Sequence, residues 1–162
     1  MRILQVAHTF LPESVGGTEI HTYQLARDLS SSHQVAVLYR IFAPDRPEFE
    51  LIESTYEGLP VYRLVNNFTW SRGPLFEYFC PGAEGAFLRV LRAFQPDLVH
   101  FHHLGGGLST SLLSLAAAHG LPTLLTLHDF WYLCSRSHLI TPTGERCPGP
   151  EGGLRCPPCL PP

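Results

Sequence analysis

The chain has 162 residues, 44% hydrophobic and 15% charged, a balance that supplies one ordinary domain core and excludes an intrinsically disordered chain. Its net charge of −3 excludes a broad basic field for nucleic acid or an anionic membrane. All eleven basic residues are arginine, which excludes Schiff-base and P-loop lysine chemistry.

The apolar stretch at the start, Ile3 to Ala7, is too short for a signal-peptide core. The most apolar region, Leu112 to Leu127, is broken by His119, Gly120 and Pro122 and cannot span a bilayer as a clean helix. A soluble, cytoplasmic chain is expected, and no basic amphipathic face supports peripheral membrane association.

In chain order, Ile3–Ala7 predicts a buried first strand. A helix over Thr18–Leu29 follows, with Thr22, Leu25, Ala26 and Leu29 on one face. Val35–Leu38 reads as a second strand, and Val61–Val65, after the turn Gly58-Leu59-Pro60, as a third. Residues 66–84 are rich in aromatics, among them Phe68, Trp70, Phe76, Tyr78 and Phe79, and read either as a loop packed on the core or as an acceptor-binding surface.

Phe87, Val90, Leu91 and Phe94 form a second helical stripe that ends before Pro96. Leu98–Phe101 is the fourth strand, Ser109 is placed to cap a helix through Ala118, and Thr123–Leu127 is the fifth strand. Continuous apolar strands separated by helices predict an α/β fold, a Rossmann-like open parallel sheet with helices on both faces. The expected boundaries are 1–133 for this domain and 134–162 for an irregular cysteine-, proline- and glycine-rich segment.

Ligands of such sheets bind beyond the carboxyl ends of the strands. Those ends carry His8 and Thr9, Arg40, Asn66 and Asn67, His102 and His103, and His128 and Asp129. The loop after the first strand ends in Gly16 and Gly17, where backbone amides at a helix start suit an anion such as a diphosphate. The consecutive glycines do not match the dinucleotide fingerprint, so a dehydrogenase is disfavoured. His128 is suited to bonding a sugar hydroxyl or, when protonated, steadying a phosphate; the alternative is a packing histidine beside an aspartate cap. His100 and His102 lie on the strand face opposite His103, which speaks against a catalytic metal there.

Three matches in order carry a resemblance. The first joins Met1-Arg2-Ile3-Leu4, the loop from Pro12 through Gly16-Gly17-Thr18-Glu19, Leu25-Ala26-Arg27-Asp28-Leu29 and His33-Gln34-Val35. The second is Pro96-Asp97-Leu98-Val99-His100-Phe101-His102, and the third runs from Leu121-Pro122-Thr123 to Thr126-Leu127-His128-Asp129. Together they resemble the amino-terminal domain of GT-B retaining glycosyltransferases of the group 1 or family 4 type.

The resemblance implies a two-domain enzyme that moves a sugar from a nucleotide-sugar donor to a glycan or lipid-linked acceptor with retention of configuration. It implies that this domain holds the acceptor, that Gly16 and Gly17 lie near the donor phosphates, and that His128, the candidate catalytic residue, lies near the donor sugar. His102, His103 and Asp129 are the further candidate substrate-binding residues. The nucleotide and an E-x7-E motif belong to a second domain, so the chain reads as a truncated amino-terminal half, inactive alone and needing no catalytic cofactor.

Residues 141–162 hold seven prolines, four glycines and three cysteines, too little apolar surface to order unaided. Cys134, Cys147, Cys156 and Cys159, the last two in a C-x-x-C knuckle, suit a structural zinc; free or redox-active thiols and an iron–sulfur cluster are the alternatives. Cys80 reads as a small buried hydrophobe. The rival to the enzyme reading is a non-catalytic zinc-binding interaction module on an enzyme-like fold, and a third reading is a stand-alone nucleotide-binding α/β protein.

Overall fold

A computed structural model describes residues 1–69 and 74–159. It divides into two compact units, Met1–Thr126 and Leu127–Pro162, so the second unit starts at Leu127, ahead of the expected division at Cys134.

The first unit is built on a six-stranded sheet: β1 (Arg2–Ala7), β2 (Gln34–Ile41), β3 (Leu51–Tyr56), β4 (Leu59–Val65), β5 (Leu98–Phe101) and β6 (Thr123–Leu125). The strand order is β3-β4-β2-β1-β5-β6. β1 lies parallel to both β2 and β5, β2 is parallel to β4, and β5 is parallel to β6. Helices α1 (Gly17–Ser30), α2 (Pro81–Phe94) and α3 (Ser111–Ala118) make the crossovers that parallel pairing requires.

The period of two along each strand divides the core between the sheet faces. Leu4, Ala36, Leu38 and Val99 pack with Phe87, Val90 and Phe94 of α2 and Leu112 of α3. Ile3, Val35, Val37 and Tyr39 point to the other face, with Ala26 of α1 and Phe10. Helices therefore cover both faces, as expected.

Three details differ from the expectation. The sheet is not wholly parallel: β3, absent from the sequence reading, pairs antiparallel with β4 at the edge. The turn that joins them is Glu57-Gly58, with φ of 46° and 84°, the two positive values that a two-residue hairpin loop demands. Second, α3 starts at Ser111 with Thr110 at its cap position. Ser109 is buried one residue earlier, its Oγ accepting the Ser111 N–H at 3.3 Å. Third, the last strand stops at Leu125, after which the Thr126 N–H donates to Phe101 O at 2.9 Å and Leu127 is exposed.

The helix stops follow their signals. Gly120, at φ 72°, lets the Leu121 N–H reach Ala116 O (3.1 Å), and Gln95 turns left-handed just before Pro96. In the aromatic segment Phe76 is buried while Tyr78 and Phe79 are exposed; Trp70 lies outside the described residues. Among the described residues no helix is long and apolar enough to cross a membrane.

Candidate functional site

The parallel strands end on one edge of the first unit, and the chain continues there as hydrogen-bonded backbone. His8 N–H donates to His103 O (2.8 Å), His102 N–H to Val6 O (2.8 Å) and Asn66 N–H to Ile41 O (3.0 Å). The residues just past β1, β4 and β5 are thereby tied to neighbouring strand ends.

Gly16 stands extended before α1, and the Glu19 side chain folds back so that its Oε2 lies 2.6 Å from where a Cβ on Gly16 would stand. A side chain at Gly16 would therefore have to push this carboxylate aside, whereas nothing lies within 4 Å of a Cβ on the exposed Gly17. Glu19 is 4% exposed, accepts the Thr9 hydroxyl, and approaches His8 Nε2 at 3.6 Å. Burial pushes its pKa up, but the Thr9 hydroxyl, its own backbone N–H, His8 and Ser14 together hold it below the ordinary carboxylate value.

The histidines sort into two environments. His8 and His103 are partly exposed and meet edge to face, 4.8 Å between ring centres. His102 is fully buried, its Nε2 donating to Gln5 Oε1 at 2.7 Å, and its ring lies 4.4 Å from that of His100. His100 in turn bonds Thr126 Oγ1 at 2.8 Å. His102 therefore shapes the strand end from beneath, while His103 reaches its surface.

Near the end of β2, the Arg40 guanidinium lies 4.8 Å over the Phe68 ring, and its Nε has no hydrogen-bond partner among the described residues. Burial lowers its pKa. Gly107, at φ 147°, passes so close that a Cβ there would stand 2.5 Å from Arg40 Nε. Asn66 holds that crossing: its Nδ2 donates to Gly107 O and its Oδ1 accepts the Phe68 N–H, both at 2.9 Å. Asn67 instead braces the loop after β2, exchanging bonds with Ala43 N–H (2.9 Å) and Ala43 O (3.0 Å). Glu77 caps the glycine loop by accepting the Gly106 N–H, and burial raises its pKa against the pull of that N–H and of His103.

In the second unit, His128 and Asp129 follow Leu127. His128 is half-buried, and the Asp129 Oδ1 accepts the Trp131 N–H at 2.7 Å, a local turn cap. Farther on, Cys134, Cys147, Cys156 and Cys159 line one cavity of about 20 Å³ together with Leu139 and Ile140. Cys80, in the first unit, is fully buried and its thiol pKa is raised by burial, as a packing residue requires.

Glu77 and Gly107 went unmarked by sequence reasoning, and Glu19 was named only in the motif that carries the resemblance. Glu19 carried a usable signal, an acid in the first helical turn three residues after a cap glycine; Glu77 and Gly107 carried none, since their roles depend on partners far away in the chain.

A Rossmann-like sheet with a glycine loop opening α1 defines the class, and the chain belongs to Glycosyltransferase Family 4, whose family model matches residues 15–148. Among solved structures it is similar to sucrose-phosphate synthase from Thermosynechococcus elongatus, at 20% identity and a TM-score of 0.52, covering 80% of this chain and 33% of that one. It is also similar to the catalytic domain of starch synthase IV from Arabidopsis thaliana bound to ADP and acarbose, at 23% identity and a TM-score of 0.51, covering 81% of this chain and 34% of that one. The chain thus spans about a third of the length of these structures and has the fold of an amino-terminal GT-B half. No curated protein matches the sequence.

Proposed function

We propose that this domain is the acceptor-side half of a retaining glycosyltransferase that moves a sugar from a nucleotide-sugar donor to a glycan or lipid-linked acceptor. The observation that carries this reading is the row of strand ends beside Gly16 and Gly17, in a chain belonging to a glycosyltransferase family.

In this reading, the exposed backbone at Gly17 faces the donor phosphates, where amides at a helix start favour negative charge. Gly16 keeps that approach free of a side chain, with Glu19 holding the loop in shape. His103 offers a ring nitrogen to substrate hydroxyls, and His102, bonded to Gln5, positions the strand end beneath it. Arg40 supplies a cation at the same edge. His128 is the candidate catalytic residue, bonding the donor sugar as the glycosidic bond to the phosphate breaks, and Asp129 fixes the backbone that carries it. No metal or organic cofactor takes part in the transfer.

The test is transfer from radiolabelled nucleotide sugars to a panel of glycan and lipid-linked acceptors. The 162-residue chain alone is expected to give no product; joined to a nucleotide-binding GT-B domain it is expected to give product with the donor's anomeric configuration. In that joined protein His128→Ala is expected to lower kcat about 100-fold, the scale of one lost hydrogen-bond or proton-transfer role. Transfer by the chain alone, or an inverted product, contradicts the reading.

A further inference from the structure

The second unit poses a physical problem that the transferase reading does not address. Among its described residues, 127–159, not one side chain is buried. Its regular structure is a single β-bridge, Ile140 with Arg146, and two short 3-10 turns, Glu151–Gly153 and Pro157–Cys159. Units below about 40 residues that lack a core need a disulfide, a metal or a partner to hold them. All four of its cysteines are free thiols.

Those four cysteines converge. The turns that carry them bring Cys134, Cys147, Cys156 and Cys159 to the wall of one cavity of about 20 Å³. That is room for a single water or ion, for which roughly 10–15 Å³ is the minimum. The backbone around them serves sulfur as well. Ser137 and Leu139, at φ 64° and 53°, take the left-handed conformation that non-glycine residues avoid, and the Ser137 N–H donates to Cys134 O at 2.8 Å. The Gly149 N–H donates to Cys147 Sγ at 3.4 Å.

We infer that Cys134, Cys147, Cys156 and Cys159 form a structural zinc site that staples residues 127–159. Four thiolates favour a tetrahedral soft-ligand centre, and with four protein ligands no position is open for a substrate. Each thiol gives up its proton on binding. Among the described residues no three of the sulfurs lie within 4.8 Å of one another, so zinc would bind with a rearrangement of the loops that carry them.

The experiment is elemental mass spectrometry on the tag-free 162-residue chain purified under reductant, with thiols titrated beside it. About one zinc per chain is expected. Four thiols should become reactive only when a chelator is added, and Cys80 only in denaturant, because it is fully buried. Cobalt put in place of zinc should give the strong visible absorption of a tetrahedral thiolate centre. Cys156→Ser with Cys159→Ser should abolish both metal and colour, while Cys80→Ala should leave the zinc content unchanged. Since the double variant could unfold the segment, amide exchange supplies a second readout. Chelator should strip protection from residues 127–159 and leave Met1–Thr126 as it was. Absence of metal with four chelator-independent thiols, iron with a visible charge-transfer band, or two disulfides would each overturn the assignment.

Discussion

The carboxylate of Glu19 occupies the space that a Cβ on Gly16 would need, with Oε2 at 2.6 Å from that point. A Cβ at Gly16 would therefore have to displace a carboxylate that Thr9 and His8 hold in place. Gly16→Ala is expected to displace Glu19 from Thr9 and His8 and to destabilise the fold by about 1–3 kcal/mol, the usual cost of overpacking. Gly17→Ala, with open space at its Cβ, is expected to stay within about 0.5 kcal/mol of the parent. Urea denaturation of the two variants checks the contrast, and equal losses would contradict it.

Glu19 also sets a pH dependence. Its pKa in the folded chain lies below the ordinary value, so the stability it contributes is fully present above the ordinary carboxylate range and is lost as pH falls through the folded value. In Glu19→Gln that acid-side loss should be smaller, and the difference in stability between parent and variant should shrink on going from neutral pH to about pH 3. Denaturation midpoints measured across that range decide it.

Glu77 has the opposite sign. Burial raises its pKa, so folding favours its protonated form, and stability is lost as pH rises from the ordinary carboxylate value through the folded one. Glu77→Gln keeps an acceptor for the Gly106 N–H without the charge and is expected to gain on the parent as pH climbs across that window. A variant that loses ground instead would show that the ionised carboxylate is what holds the glycine loop.

Much of the first unit was legible because its strands obey one rule. Ile3–Ala7, Val35–Leu38, Val61–Val65 and Leu98–Phe101 are short runs rich in large apolar residues, as strands covered on both faces must be, and all four lie in the observed sheet. β3 was not legible for the converse reason. Leu51-Ile52-Glu53-Ser54-Thr55-Tyr56 lies at an edge with no residue fully buried, so its mixed polarity reads as loop. Its signal was the Glu57-Gly58 hairpin turn, obscured by the Gly58-Leu59-Pro60 reading beside it. At the site, glycines and histidines were visible by residue type. Glu77 was not, since its meaning comes from Gly106, 29 residues away on a separate element.

Asn66 gives a further test of the site's architecture. It is fully buried and ties Gly107 O to Phe68 N–H, each at 2.9 Å. Asn66→Ala leaves both backbone groups without that partner and is expected to cost about 1–3 kcal/mol per group left unsatisfied. Thermal unfolding measures the loss, and amide exchange at Gly106–Leu108 should rise with it. A neutral substitution would contradict the role given to this residue.

The central claim, that the carboxyl edge of the sheet receives the substrates, is tested most directly by nuclear magnetic resonance. The isotopically labelled chain would be titrated with nucleotide sugars and with glycan acceptors. The account predicts amide shifts clustered at Thr9, Gly17, His103 and Gly106. Shifts gathered at the opposite edge, around Ser31 and Asp97, would contradict it.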